Sequence, residues 1–188
     1  MTSKEIYIIP GKTEHCGLPQ YQTVAALFEK HGYQTHFVTI AWNHRTMADY
    51  VEQFLDQLGD TKDIACFGFS FGAMIAVRAA TKVSFSELFL ASLSPYFAED
   101  LKKLPASWLK YNGKKRQRDF EQYPFQSLAK NLTMPVHVMV GELEPQVIRR
   151  RAQSLVHACP RADLTVAHST RHNLADQAYL ASLQQWFL

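Results

Sequence analysis

The sequence predicts one α/β domain built around a mostly parallel sheet of about six strands. Short β-rich runs alternate with helical patterns along nearly the whole chain, which is typical of βαβ units. Several β-rich runs are almost continuously apolar, as expected when helices cover both faces of a sheet and give three layers. The chain has 188 residues, 47% of them hydrophobic, so it can bury a core without disulfides or metals.

Each predicted strand is a short apolar or β-branched run bounded by turn residues. The predicted strands are residues 6–9, 35–40, 64–69, 87–92, 136–140 and 162–167. Helical patterns occupy the intervals 21–31, 46–58, 71–81, 146–158 and 173–188. Gly32, Gly59 and Pro160 follow three of these patterns directly or closely, where glycine and proline end helices.

The interval 95–135 has no strand pattern. It predicts two short helices, 98–110 and 116–130, separated by Tyr111, Asn112 and Gly113. A segment this long inside an α/β domain is usually an insertion over the active face. We therefore expect a single domain, 1–188, with a small helical cap at about 95–135.

Composition excludes several classes of protein. The net charge of +3 is too small to indicate a nucleic-acid partner, and the longest uncharged central stretch, 64–77, is too short to cross a bilayer. The three cysteines, Cys16, Cys66 and Cys159, are odd in number and far apart, so they form neither a disulfide framework nor a CxxC pair. The N-terminus lacks a signal-peptide pattern, and a cytoplasmic location is expected.

The sequence from Gly68 to Gly72 is a GxSxG motif centred on Ser70, between a predicted strand and a predicted helix. In that context a sharp turn lifts the serine hydroxyl above the sheet edge, at a helix N-terminus that favours negative charge. The alternative is a tight turn with no catalytic role. The chance of the motif arising in its required context is small, so we predict that Ser70 is a nucleophile.

A nucleophilic serine needs a histidine base and a carboxylate that orients the histidine. Glu142 and Glu144 follow the predicted strand 136–140, and His168 and His172 follow the strand 162–167. The chain order is therefore serine, acid, histidine, and each role has two candidates.

On these residues the chain resembles the α/β-hydrolase family, over residues 6–188. The resemblance implies Glu144 as the acid, three residues after Gly141, and His172 as the base, a few residues past the last strand. Two departures keep the alternatives Glu142 and His168 open. The family more often uses Asp as the acid, and it often has Gly where this chain has Arg171.

The same resemblance implies an oxyanion hole made of two backbone N–H groups. One belongs to Phe71, directly after the nucleophile, and the other to Lys12, in the loop after the first strand. The chain also begins at the strand that the family counts as its third, so a sheet of six strands is implied.

Other residues have weaker functional signals. His15 and His44 follow predicted strand ends and are candidates to line a pocket, although surface histidines are more common. The histidines show no metal-ligand spacing, so we expect no metal and no cofactor.

Residues 101–118 contain seven Lys or Arg residues and no Asp or Glu, interleaved with Trp108 and Tyr111. The simplest interpretation is a solvated cap surface whose aromatic side chains, including Trp108, face the pocket. Recognition of an anionic substrate or of an acidic carrier protein is an alternative, and nucleic-acid binding is the least favoured.

The sequence thus predicts a serine hydrolase that cleaves an ester or thioester of a small to medium acyl substrate through an acyl-enzyme. We expect no nucleic-acid partner and no membrane association. One alternative is an esterase or thioesterase that recognises an acidic acyl carrier through the basic cap. The other is a binding protein that keeps the fold without turnover.

Overall fold

The computed structural model describes residues 4–59 and 63–188, and its centre is a six-stranded sheet. All strand pairs are parallel, and the spatial order is β2-β1-β3-β4-β5-β6. The strands are β1 (Lys4–Ile9), β2 (Tyr33–Phe37), β3 (Ile64–Phe69), β4 (Glu87–Ala91), β5 (Val136–Gly141) and β6 (Ala162–Ala167). The predicted parallel sheet of six strands is confirmed.

The helices cover both faces of the sheet. They are α1 (Pro19–Lys30), α2 (Met47–Leu55), α3 (Phe71–Ala79), α4 (Ala106–Phe120), α5 (Phe125–Lys130), α6 (Gln146–Ala158) and α7 (Gln177–Ser182), with 3₁₀ turns at Leu101–Lys103 and Leu183–Phe187. Within the described residues no helix combines the length and apolar character needed to cross a bilayer.

Two apolar clusters form the core, one on each face. One cluster holds the buried sides of α2, α3 and α6 together with the aromatic residues of the segment 95–135, and the other holds α1, α7 and the facing strand residues. Local sequence supports these helices. Thr46 and Asp49 form a capping box at the start of α2, and Pro19 occupies the first turn of α1. The predicted three-layer α/β architecture is confirmed.

Strand β2 ends earlier than the predicted run 35–40. The N–H of Val38 still donates to the carbonyl of Ile8 at 3.0 Å, but β1 ends at Ile9 and is followed by Pro10, which has no N–H to continue the ladder. Val38 and Ile40 remain buried in the core without being strand residues. The apolar pattern therefore predicts the burial of these two residues correctly, but its prediction that they belong to a strand is wrong.

The last helix begins later than predicted, at Gln177 instead of residue 173. The side chain of Asp176 caps it by accepting the N–H of Ala178 at 2.9 Å. Residues 168–176 are therefore available as a loop, and this loop carries His172.

The segment 95–135 packs over the carboxyl ends of the strands. Helix α4 is kinked at Gly113 (φ 75°, ψ 159°), within the break predicted at residues 111–113. The segment has two further breaks, between the 3₁₀ turn Leu101–Lys103 and α4 and between α4 and α5. Two buried carboxylates fasten it to the rest of the domain. Asp100 forms an ion pair with Arg151 of α6, and Asp119 accepts the N–H of Met47 at the start of α2 at 2.7 Å.

Candidate active site

Ser70 lies in the turn between β3 and α3, with φ 56° and ψ −112°. This conformation is strained for a residue other than glycine, and such strain persists only where the surroundings enforce it. The neighbouring glycines show how it is enforced. A Cβ on Gly68 would overlap the backbone of Gly72, and a Cβ on Gly72 would overlap the carbonyl of Ile9 in β1. Each small residue of the motif is therefore required by the space around the turn.

The imidazole of His172 lies between Ser70 and Glu144. Its Nδ1 is 2.7 Å from Oε2 of Glu144, and its Nε2 is 2.9 Å from Oγ of Ser70. Because a carboxylate only accepts hydrogen bonds, Nδ1 carries the hydrogen, and Nε2 is left to accept from the serine hydroxyl. The ring packs against Phe69, with the ring centres 5.2 Å apart. The structure thus brings together the three residues that the sequence favours as nucleophile, base and acid.

The carboxylate of Glu144 is fully buried and receives hydrogen bonds from three groups. Its Oε2 accepts from His172, while Oε1 accepts the N–H of Gly141 at 2.8 Å and the hydroxyl of Ser92 at 2.5 Å. The hydroxyl of Tyr179 lies 2.6 Å from Ser92 Oγ and donates to it, since the Ser92 hydrogen is directed at the carboxylate. These bonds fix the direction in which Glu144 presents Oε2.

The alternative acid and base are paired with each other at the surface. Nδ1 of His168 lies 3.5 Å from Oε2 of Glu142, and that oxygen also accepts the N–H of Ser169 at 2.9 Å. The Ser169 N–H and the nearby His168 lower the pKa of Glu142. Neither side chain lines the cavity above Ser70.

A cavity of about 480 Å³ opens above Ser70. Five aromatic residues line it: Phe69, Phe71, Tyr96, Trp108 and Tyr111. Polar side chains line it as well: Lys12, Glu14, Ser94, His172 and Asn173. Ser94 is buried, and its hydroxyl lies 3.2 Å from that of Ser70. Such a cavity suits a ligand with a flat apolar body that is held by a few polar groups.

Three residues predicted at the pocket from their places in the sequence line this cavity. Phe71 and Lys12, the two expected oxyanion donors, and Trp108 all belong to its walls. His15 and His44 do not, since both are exposed and lie outside the lining. The expectation that these histidines reach the pocket is corrected by their position in outward-facing turns.

The side chain of Trp42 joins the loop after β1 to the loop after β2. Its Nε1 donates to the carbonyl of Glu14 at 3.0 Å, and its ring packs against Tyr50. This contact closes the β1 and β2 loops onto each other.

The ammonium group of Lys12 is half-buried at the wall of the cavity. Its Nζ donates to Oδ1 of Asn112 at 2.9 Å and lies 3.9 Å from the ring centre of Tyr111 and 5.2 Å from that of Phe71. Burial and, to a lesser extent, the charge of Arg116 lower the pKa of Lys12 to about 8. The sequence predicts a role for the backbone N–H of Lys12 but none for its side chain.

The other basic side chains of residues 101–118 differ from Lys12 in their surroundings. Arg116 donates to the carbonyls of Trp42 and Arg45, which anchors α4 to the β2 loop. The remaining six are exposed: Lys102, Lys103, Lys110, Lys114, Lys115 and Arg118. Among the described residues, no group of three His, Cys, Asp or Glu side chains is placed to hold a metal ion.

Comparisons with known proteins identify the fold. No family model and no curated protein matches the sequence. Solved structures do match over almost the whole chain. Est1E from Butyrivibrio proteoclasticus has a TM-score of 0.83 at 16% identity, covering 99% of this chain and 87% of Est1E.

Two further structures give the same result from distant organisms. Mouse alpha/beta hydrolase domain-containing protein 10 has a TM-score of 0.71 at 17% identity, covering 100% of this chain and 90% of the mouse chain. An esterase from Pyrococcus furiosus has a TM-score of 0.70 at 19% identity, covering 99% and 80% of the two chains. The resemblance found in the sequence is thus confirmed at the level of architecture, and the chain has the α/β-hydrolase fold.

Proposed function

We propose that the protein is a serine hydrolase that cleaves a carboxylic ester or thioester with a small to medium acyl group. One observation carries the proposal. The hydrogen bonds from Ser70 to His172 and from His172 to Glu144 form an unbroken chain at the floor of a cavity. Such a chain turns a weak hydroxyl nucleophile into a reactive one.

The reaction would proceed through an acyl-enzyme. His172 Nε2 takes the proton of Ser70 as Oγ attacks the substrate carbonyl, and Glu144 holds the imidazolium that forms. The backbone N–H groups of Phe71 and Lys12 are proposed to bind the negative oxygen of the tetrahedral intermediate. His172 then gives its proton to the leaving alcohol or thiol. A water molecule hydrolyses the acyl-enzyme by the same proton transfers.

The structural neighbours support this reaction class. They include an esterase from Pyrococcus furiosus and Est1E, which has also been solved with ferulic acid bound. A bromoperoxidase from Bacillus anthracis is a neighbour as well, so the fold by itself does not select the reaction. The proposal of an acyl substrate therefore rests on the residues of the site and on the aromatic side chains that line the cavity.

Labelling with a fluorophosphonate probe tests the nucleophile. We expect the wild-type protein and Ser127→Ala, which removes an exposed serine hydroxyl on α5, to be labelled equally, and Ser70→Ala to remain unlabelled. If the wild type is not labelled, the alternative of a binding protein without turnover replaces the proposal. Equal labelling of Ser70→Ala would move the nucleophile to another residue.

A second candidate is a hydrolase that recognises an acidic acyl carrier protein. It is favoured by the six exposed basic side chains of residues 101–118, which flank the cavity residues Trp108 and Tyr111 in the sequence. If the basic side chains bind an acidic carrier, kcat/KM for a carrier-bound acyl thioester should fall steeply between about 50 and 500 mM salt. The kcat/KM for a small neutral ester should not change over the same range. Equal salt responses would exclude it.

We also propose a cytoplasmic location. Cys16, Cys66 and Cys159 are all buried and unpaired. Free thiols that persist in the core are typical of proteins kept in a reducing compartment.

A further inference from the structure

Lys12 has an unusual setting for a lysine in the described parts of the chain, residues 4–59 and 63–188. Its ammonium group is half-buried, yet no carboxylate in those ranges lies within ion-pair distance of it. Its contacts are the amide oxygen of Asn112 and the faces of the Tyr111 and Phe71 rings. A cation that has lost water without gaining an anion is held at a cost in free energy.

The position of this cation relates it to the reaction site. Phe71 directly follows Ser70, and both Phe71 and Tyr111 line the same cavity as Lys12. The ammonium therefore stands at the cavity wall between the loop after β1 and helix α4. Because Lys12 lines the cavity, a ligand bound there would lie beside this residue.

The other charged cavity residue does not neutralise Lys12. The carboxylate of Glu14 accepts the hydroxyl hydrogen of buried Tyr21, which in turn accepts the N–H of Gly11. Glu14 thus stabilises the loop that contains Lys12, through Tyr21, and does not form an ion pair with Lys12.

We propose that Lys12 is a specificity-determining residue, whose ammonium binds an anionic group, such as a carboxylate, on the acyl or alcohol part of the substrate. The inference rests on the proposed hydrolase function and names its substrate class: esters with a flat apolar body and a negative charge. The negative charge would replace the water that Lys12 has lost. The other aromatic side chains of the cavity, Phe69, Tyr96 and Trp108, would pack against the apolar body.

The lowered pKa of Lys12, about 8, makes the proposal testable by pH. Below pH 8 the ammonium form predominates and attracts an anion, and above it the amine is neutral and the attraction is lost. The charged or titratable groups around Lys12 are Arg116 and Tyr111 from α4, Tyr96 near Asn112, Glu14 from its own loop, and His172 across the cavity. The ratio of two substrates removes any effect of pH on the hydrolytic steps that both esters share.

The experiment compares p-nitrophenyl monoesters of glutaric and adipic acid with the same esters whose free carboxylate is capped as a methyl ester. The quantity measured is the ratio of kcat/KM for the anionic ester to that for the capped ester, between about pH 6 and pH 9. In the wild-type protein we expect a ratio of about 10 to 100 near pH 6. It should fall about five- to tenfold by pH 9, because about a tenth of Lys12 is still charged one pH unit above a pKa of about 8.

Two variants give matched controls for the side chain. Lys12→Met keeps an unbranched side chain that is one atom shorter and uncharged, and it should lose the preference at every pH. Lys12→Arg should keep the preference and make it independent of pH, because a guanidinium stays charged over this range. Both variants keep the backbone N–H at residue 12, and the ratio within each variant cancels any general loss of activity.

The outcomes separate this inference from the proposed function. A wild-type ratio near one at all pH values, or an equal ratio in the wild type and Lys12→Met, overturns the role of Lys12 while hydrolysis of the capped ester by Ser70 stands. No hydrolysis of any ester, together with no labelling of Ser70, overturns the proposed function itself. The wild-type pH dependence decides the matter even if one variant fails to fold.

Discussion

The hydroxyl of Ser92 donates a 2.5 Å hydrogen bond to Oε1 of Glu144, on the carboxylate whose Oε2 holds His172. Both residues are buried, and Ser92 has a φ of 53° at the end of β4. A strained serine directly behind the acid indicates a positioning role, because its hydroxyl limits rotation of the carboxylate.

Removing this hydroxyl should slow turnover with little effect on substrate binding. Ser92→Gly is the suitable variant, since glycine adopts a positive φ without strain. A hydrogen bond to a charged group contributes about 1.5–3 kcal/mol, so kcat should fall about 10- to 100-fold while KM changes little. Steady-state kinetics on a neutral p-nitrophenyl ester provide the measurement. Tyr179→Phe, which removes only the hydroxyl bonded to Ser92, should cause a smaller loss in the same assay.

The two acidic and two histidine candidates should separate cleanly by mutation. Glu144→Gln and His172→Ala each remove a group from the hydrogen-bonded chain, and kcat/KM should fall by about 10³-fold or more. Glu142→Gln and His168→Ala alter an exposed pair outside the cavity and should leave kcat/KM within about twofold. A large loss in either surface variant, with Glu144 or His172 dispensable, would reverse the assignment.

Much of this site is predictable because its chemistry depends on local sequence. A strand, a GxSxG turn and a helix occur within residues 64–79, and the glycines are required by contacts that any such turn makes. Parallel strands also bring their carboxyl ends to one edge of the sheet. The places of Glu144 and His172 after β5 and β6 therefore predict that both lie near Ser70.

The rest depends on packing between distant parts of the chain. Ser92 and Tyr179 are 87 residues apart, and nothing in either neighbourhood indicates that they meet behind Glu144. The setting of Lys12 likewise requires the fold of α4, 100 residues later, which brings Asn112 over it. His15 and His44 show another limit of the sequence. A position directly after a strand predicts at which edge of the sheet a residue lies, but it does not predict whether the side chain is directed into the cavity.

The buried ion pair between Asp100 and Arg151 should be costly to break. Both side chains are 7% exposed, and the guanidinium also lies 3.7 Å from the ring centre of Phe125. Asp100→Asn leaves a buried cation without its anion, and we expect the free energy of unfolding to fall by about 3–5 kcal/mol. Urea unfolding with an unchanged m-value would measure this loss.

A surface pair provides the control for that experiment. Nδ1 of His137 lies 2.7 Å from Asp163, whose side chain is 57% exposed. Asp163→Asn should lower the free energy of unfolding by no more than about 1 kcal/mol. Similar losses for Asp100→Asn and Asp163→Asn would show that the buried pair does not fasten the segment 95–135 to α6.

Gly72→Ala should destabilise the protein far more than alanine at an open glycine. A Cβ at residue 72 would overlap the carbonyl of Ile9 and lie 2.7 Å from that of Pro10, and both belong to backbone that cannot move without displacing β1. The expected loss exceeds about 3 kcal/mol, which lowers the melting temperature by about 6–12 °C for a chain of this size.

Gly17→Ala is the control, because its Cβ would approach only the exposed ring of His15, at 3.0 Å from Nδ1, and that ring can rotate away. Thermal melts of the two variants, followed by circular dichroism, make the comparison. A melting temperature of Gly72→Ala within about 2 °C of wild type would mean that β1 and the start of α3 can separate, and that the approach seen here is not required by the fold.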